Sequence, residues 1–194
     1  MKPIIIIVLL FVALNLSAQD SLKAFGPIKF GMSKEEVKKA VKATEGMKLL
    51  TGQIHTDILG KRYWGIPEFD SHGFVAIMLN HYTGNWSALF RNYTKYQASD
   101  CEFDMNSLSK LFKDQYGEPS FYKGFTHPGF LEVGKRYLAG EWGDKIKIVQ
   151  LWEQYINTVA YPSIVIILRK RAELNSTINN RVDEIQEKKT KELF

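Results

Sequence analysis

The sequence predicts an α+β protein made of two tandem, related units, each with one helix followed by about three antiparallel strands that form a shared sheet, plus a C-terminal helix. Three observations predict this fold class. A helix-capping motif stands at residue 33, and a similar helix follows at an offset of 71 residues. Each helix precedes runs that are rich in β-branched and aromatic residues, as strands are.

Residues 1–18 have the pattern of a secretory signal peptide. Lys2 supplies one positive charge, an unbroken run of eleven apolar residues begins at Ile4, and small residues precede the expected cleavage site after Ala18. The apolar run is too short to span a bilayer as a stable helix, so cleavage is favoured over an N-terminal membrane anchor. We therefore expect an exported protein, periplasmic or secreted, with no transmembrane segment in the mature chain.

The first helix is predicted to begin at Ser33. Ser33 and Glu36 form an S-x-x-E capping box, in which the hydroxyl accepts a hydrogen bond from a backbone amide and the carboxylate reaches back to the helix start. Val37 and Val41 then recur on one helical face. Gly46 is placed to end the helix.

A second helix is predicted to begin at an Asp104 cap and to end at Gly117. Its cap, apolar positions and terminal glycine align with those of the first helix at the constant offset of 71 residues. Residues 60–63, Gly-Lys-Arg-Tyr, recur at residues 134–137, an offset of 74. These matches favour an internal duplication, although any two units of a helix and a hairpin could align in this way.

Strand-like runs follow each helix. Residues 164–168 are continuously apolar and β-branched, which is typical of a strand covered on both faces. The six predicted strands cover residues 60–69, 73–81, 86–96, 135–142, 145–152 and 159–169.

The chain is predicted to divide into four segments. These are the signal peptide at residues 1–18, a first helix–sheet unit at 19–100, a second at 101–171 and a helical tail at 172–194. The apolar stripe of the tail consists of Leu174, Ile178, Val182 and Ile185. Four apolar residues rarely hold an isolated helix in water, so the tail is expected either to pack, for example in a homodimer, or to stay solvated.

Charge and cysteine content exclude several classes of protein. The net charge of +5 is spread among acidic residues, and without a basic cluster no nucleic acid is expected as a partner. Cys101 is the only cysteine, so an intramolecular disulfide is impossible. Asp100 and Glu102 flank it and disfavour a thiolate, which predicts a buried structural cysteine; an intermolecular disulfide is the alternative.

The sequence contains no catalytic motif and no metal-binding set. It has no nucleophile elbow, no glycine-rich phosphate loop and no H-E-x-x-H. We therefore expect no catalytic residue, no metal and no cofactor. The alternative is a small-ligand or metal-dependent hydrolytic protein that uses His55, Asp57, Asp70, His72 and His81, although a metal site needs three or four converging ligands.

Aromatic residues concentrate in the predicted strands, and there are more of them than one small core face requires. Some are therefore expected on the open sheet face, where Tyr and Trp make effective contacts with proteins or ligands. Tyr93 and Tyr96 have opposite strand parity, so at least one points away from the helices. The candidate binding residues are Tyr63, Trp64, Trp86, Tyr93 and Tyr96.

Residues 31–37, Gly-Met-Ser-Lys-Glu-Glu-Val, open the first helix shortly after the export signal. This run resembles the G-M-[ST]-x-x-[EQ]-V start of an envelope family that groups small outer-membrane assembly lipoproteins with β-lactamase inhibitor proteins. The resemblance implies helix-plus-antiparallel-sheet modules that bind other proteins. The second helix has Asp104-Met105-Asn106 in place of Gly-Met-Ser, and no lipid-bearing cysteine stands near the cleavage site.

The function expected from the sequence is that of an exported, non-enzymatic binding module. The export signal predicts the compartment, and the surplus of strand aromatics predicts the contact surface. The expected partner is a protein or an envelope component that contacts an aromatic-bearing face of the sheet.

Overall fold

The computed structural model describes residues 22–81, 98–126, 130–156 and 159–173. Within these residues the chain forms an α+β fold in which helices accompany one eight-stranded antiparallel sheet, which confirms the predicted fold class at that level. Three predicted features lie outside the described residues: the signal peptide, the strand at residues 86–96 and the tail beyond residue 173.

Helix α1 spans Lys34–Lys42 and begins where the sequence predicts. The capping box is present, because the Glu36 N–H donates to Ser33 Oγ at 3.3 Å and the Ser33 N–H donates to Glu36 Oε2 at 2.8 Å. These reciprocal bonds satisfy two amides that the start of a helix leaves without partners. Val37 and Val41 are buried, so the predicted apolar face packs on the core.

Helix α2 spans Ala98–Tyr116 and ends as predicted at Gly117, whose φ of 82° is left-handed. The predicted start is wrong, because Asp104 lies well inside the helix. Its carboxylate is buried within 4 Å of Lys61 and His81, and these partners replace the backbone amides that a cap would need. Among the residues described, neither helix combines the length and the hydrophobicity that crossing a membrane requires.

The strands of the described residues form one small sheet and one large sheet. β1 (Lys23–Phe25) and β2 (Ile28–Lys29) form the small one. The large sheet contains β3 (Lys48–Leu50), β4 (Gln53–Ile58), β5 (Lys61–Asp70), β6 (Gly73–His81), β7 (Phe121–Tyr122), β8 (Arg136–Gly143), β9 (Lys147–Ile156) and β10 (Val159–Leu168). Their order is β3-β4-β5-β6-β10-β9-β8-β7, and every neighbouring pair is antiparallel.

Five predicted strands correspond to β5, β6, β8, β9 and β10, whereas the hairpin of β3 and β4 and the two-residue β7 were not predicted. The hairpin turns at Thr51 and Gly52, which have φ values of 49° and 83°. Strands as short as β3 and β7 contain too few positions for a period of two to be recognised. Each half of the chain thus contributes four described strands to the large sheet, where the sequence predicted about three.

The core lies on one face of the large sheet. α2 packs across β8, β9 and β10, and the alternation of a strand directs every second side chain toward it. On β10, Ile164 and Ile166 are buried, whereas Val165 and Ile167 are half-buried on the other face. The sequence predicts that residues 164–168 are covered on both faces of the sheet. In the structure this part of β10 is fully buried on the core face only. Cys101 is completely buried in this core, as predicted.

Candidate functional site

The face of the large sheet opposite the core carries the candidate site, and we call it the open face. Its residues alternate with core residues, so that Trp64 follows the buried Tyr63 and Met78 lies between the buried Ile77 and Leu79. None of its hydrophobic side chains belongs to the core cluster that the described residues form. The open-face residues discussed below are His55, Arg62, Trp64, Ile66, Met78, Asn80, Glu141, Gln150, Trp152, Gln154, Ser163 and Val165.

Two tryptophans of the open face lie in one row across four adjacent strands. Trp64 on β5 is in register with Asn80 on β6, Asn80 with Ser163 on β10, and Ser163 with Trp152 on β9. Three interstrand spacings separate the backbones of the two tryptophans, a distance of about 14 Å. Both tryptophans are half-buried, so part of each indole ring is accessible on the surface.

The middle of this row is polar and hydrogen-bonded. The Gln154 side-chain amide donates from Nε2 to Asn80 Oδ1 at 2.9 Å and to Ser163 Oγ at 2.8 Å. Gln154 and Ser163 are buried, so these bonds satisfy polar groups that are shielded from water. The two tryptophans therefore flank a fixed polar floor.

Hydrogen bonds also restrain the Trp152 indole. Its Nε1–H donates to Gln150 Oε1 at 3.0 Å, and Gln150 Nε2 donates to Glu141 Oε2 at 2.8 Å. Because the indole N–H already has this acceptor, the ring contributes to a contact mainly through its apolar surface. A side chain that is already ordered also loses less conformational entropy when a partner binds.

The Trp64 end of the row carries a histidine and an ion pair. His55 on β4 lies directly opposite Trp64, and its pKa is lowered by burial and, to a smaller extent, by the charge of Arg62. Arg62 pairs with Asp57 at 3.7 Å on the surface, where such pairs contribute little stability. We therefore expect the imidazole beside Trp64 to be largely neutral at pH 7.

The structure places the predicted binding residues in different environments. Trp64 lies on the open face. Tyr63 is only 1% exposed and packs in the core, because consecutive residues of a strand point to opposite faces. It is therefore not available for a surface contact. Trp86, Tyr93 and Tyr96 lie outside the described residues.

Trp152, Asn80 and Gln154 complete the site, although the sequence did not identify them as binding residues. A period-two signal was present in β9, where Gln150, Trp152 and Gln154 alternate with the buried Leu151 and its neighbours. The proximity of Asn80 to these residues depends on the pairing of β6 with β10, which no local pattern encodes.

The three histidines within the described ranges do not converge. His55 lies on the open face, the His81 side chain is buried on the opposite side of the sheet, and His72 lies in a turn where its backbone N–H donates to Asp70 Oδ1 at 2.7 Å. In the ranges that the structure describes, no group of three or more His, Cys, Asp or Glu side chains could hold a metal ion. His127 lies outside those ranges.

A second polar group lies in the interior beneath α2. Lys61 Nζ lies 3.6 Å from Asp104 Oδ1, and His81 Nε2 lies 3.9 Å from Asp104 Oδ2. The Tyr63 and His81 rings are 5.3 Å apart, and burial together with the charge of Asp104 raises the pKa of Tyr63. Burial lowers the pKa of His81, while Asp104 opposes that shift. Because these groups connect α2 to β5 and β6 inside the protein, we assign them a structural role.

Comparison of the chain with protein-family models, curated proteins and solved structures found no significant match. The candidate site is therefore defined by its geometry. Its distinguishing feature is the row of two tryptophans on either side of a polar floor on the open face.

Proposed function

We propose that this chain is an exported, non-enzymatic binding module that contacts a protein or an envelope component through the open face. The observation that carries the proposal is the registered row of Trp64, Asn80, Ser163 and Trp152. Tryptophan is enriched among the residues that dominate binding energy, because its large ring combines apolar area with few rotatable bonds. Two such rings on one rigid sheet form a pre-organised contact surface.

The residues next to the row support a partner with an apolar surface. Ile66 is 59% exposed, and it is in register with Met78, which is in turn in register with Val165. These three side chains form an apolar row next to the tryptophan row, two residues further along the strands. Because the Gln154 amide N–H groups already have acceptors on Asn80 and Ser163, a partner can cover this amide without leaving its donors unpaired.

The proposed location is the periplasm or the extracellular space. The signal-peptide pattern of residues 1–18 supports export. The capping box of Ser33 and Glu36 belongs to the motif that resembles the helix start of the envelope family. A protein-binding role agrees with what that resemblance implies.

We further propose that the two halves of the chain are related units. The sheet order supports this, since each half supplies a helix and then four consecutive neighbouring strands, and the halves join through β6 and β10. Counted from that junction, β5 corresponds to β9, and β4 to β8. The repeated Gly-Lys-Arg-Tyr sequence precedes or opens β5 and β8, which are not equivalent positions, so it adds no support.

The binding role can be tested by removing the two indoles separately. Trp64→Ala and Trp152→Ala are expected to reduce retention of an envelope component on the immobilised protein by at least about tenfold, as loss of a dominant contact does. Phe103→Ala is the matched control, because Phe103 is an exposed aromatic residue on α2, away from the open face. This control should retain the component as well as the wild type.

Melting curves of the same variants distinguish a contact from a core role. Each tryptophan variant is expected to have a melting temperature within a few degrees of the wild type, because the substituted side chain is only half-buried. Unchanged retention would contradict the proposal. A large fall in melting temperature for both variants would also contradict it, because the indoles would then be part of the core.

A further inference from the structure

A cavity of about 230 Å³ lies on the core side of the large sheet, away from the open face. Its walls come from β1, from the C-terminal turns of α2 and from the central strands β6, β9 and β10. Most of the lining is apolar, including Phe25, Leu79, Phe112 and Ile164. The cavity is therefore suited to a hydrocarbon group.

Two charged residues, Lys23 and Lys147, also line the cavity; Lys23 is exposed, whereas Lys147 on β9 is buried. Lys147 is only 8% exposed, and its Nζ donates to the Lys23 carbonyl oxygen at 3.0 Å and lies 4.9 Å from the centre of the Tyr116 ring. Lys23 and Tyr116 also line the cavity, which locates the ammonium group at the cavity wall.

The surroundings of Lys147 favour an anion. Burial lowers its pKa, since the charged form loses water, while the carboxylate of Asp144 partly opposes this shift. An ammonium group has three N–H donors, and within the described part of the chain Nζ makes one hydrogen bond and no salt bridge. A negatively charged ligand would offset the cost of burying this cation.

We propose that the cavity binds a medium-chain fatty acid, with its carboxylate at Lys147 Nζ and its hydrocarbon chain along the apolar wall. At about 30 Å³ per small group, roughly the volume of a water molecule in the liquid, the cavity accommodates about eight such groups. This size corresponds to octanoate rather than to a long-chain lipid. The site lies on the opposite side of the sheet from the tryptophan row, so it does not depend on the proposed function.

Octanoate and octan-1-ol are the probes for this site, since they share the chain and differ in the charged head. In calorimetric and methyl NMR titrations of the purified protein, octanoate is expected to saturate one site and to shift the methyl signals of Leu79 and Ile164. Octan-1-ol should bind at least about tenfold more weakly, because it lacks the charge that pairs with the ammonium.

A pair of lysine variants isolates the role of the charge. Lys147→Met keeps a long, unbranched side chain but removes its charge. The variant should bind octanoate about tenfold more weakly than the wild type, while its affinity for octan-1-ol is unchanged. Lys145→Met is the matched control, because Lys145 is an exposed residue two positions away, and it should bind both probes as the wild type does.

Several outcomes would overturn the proposal. The proposal is wrong if octanoate does not saturate a site on the wild type, or if octanoate shifts only the methyl signals of Ile66 and Met78 on the open face. Equal affinity for octanoate and octan-1-ol, or equal octanoate affinity for Lys147→Met and the wild type, would exclude the carboxylate contact. If Lys147→Met does not fold, the comparison of octanoate with octan-1-ol on the wild type still tests the proposal.

Discussion

Asp104 on α2 and His81 at the end of β6 form a buried contact, with Oδ2 and Nε2 3.9 Å apart and neither side chain more than 5% exposed. The other carboxylate oxygen of Asp104 lies 3.6 Å from Lys61 Nζ on β5. A buried carboxylate is costly unless it is paired, so these three side chains depend on one another. They connect the long helix to two strands of the sheet by charge as well as by apolar packing.

Replacing Asp104 by alanine should lower the free energy of unfolding by about 2 kcal/mol, because it removes the polar partner of the buried His81 and of the partly exposed Lys61. Urea denaturation measures this difference. Asp114→Ala, at an exposed position on the same helix, is the control and should stay within about 0.5 kcal/mol of the wild type. Similar effects of the two substitutions would contradict a buried ion-pair group.

Glu153 on β9 is expected to make the stability of the protein depend on pH. Its side chain is fully buried, Oε2 accepts the Thr126 N–H at 3.0 Å, and Oε1 has no hydrogen-bond partner among the described residues. Burial raises the pKa of Glu153 from 4.5 to about 7, although the Thr126 bond and the charge of Lys123 oppose this rise. Between these two values the folded state binds more protons than the unfolded state, so stability falls as pH rises through about 7.

Glu153→Gln removes this titration and should abolish that part of the pH dependence. The variant and the wild type should differ little below pH 4.5, where the carboxyl is neutral in both states. Above pH 8 the variant should be more stable by about 3 kcal/mol, since the pKa rises from 4.5 to about 7 and each pKa unit corresponds to about 1.4 kcal/mol. Thermal melts across this range, with the exposed Glu132→Gln as a control that follows the wild type, make the comparison. A difference that does not change with pH would contradict the raised pKa.

Tyr63 and Trp64 are adjacent in sequence, yet they should respond very differently to substitution. Tyr63→Ala is expected to lower the free energy of unfolding by about 3 kcal/mol or more, because it empties a fully buried site. Trp64→Ala should cost about 1 kcal/mol, since its ring is only half-buried on the open face. Urea denaturation of both variants measures the two losses of unfolding free energy. A larger loss for Trp64→Ala than for Tyr63→Ala would contradict the assignment of the two residues to opposite faces of the sheet.

The parts of the fold that follow local rules could be predicted from the sequence. The reciprocal bonds of Ser33 and Glu36 involve residues three apart, and Gly117 ends its helix through its own backbone conformation. The long strands have enough β-branched and aromatic positions to be recognised. The Thr51–Gly52 turn was missed because its flanking strand β3 has only three residues.

The site was harder to predict because it depends on register between distant segments. Trp64 was identified from its residue type, but its relation to Trp152 requires the pairing of β5 with β6, β6 with β10 and β10 with β9. Asp104 was mistaken for a cap for the same reason. Its true partners, Lys61 and His81, precede it by 43 and 23 residues and become neighbours only in the folded sheet.

The central junction of β6 with β10 has a consequence for synthesis of the chain. β6 ends at His81, whereas β10, the last of the described strands, ends at Leu168, so the junction cannot form until most of the chain is available. Among the described strands, β6 until then pairs only with β5, and its other edge, which carries the apolar Ile77 and Leu79, is open. The most vulnerable species during synthesis is therefore a chain that lacks β10, because its exposed strand edge is a template for aggregation.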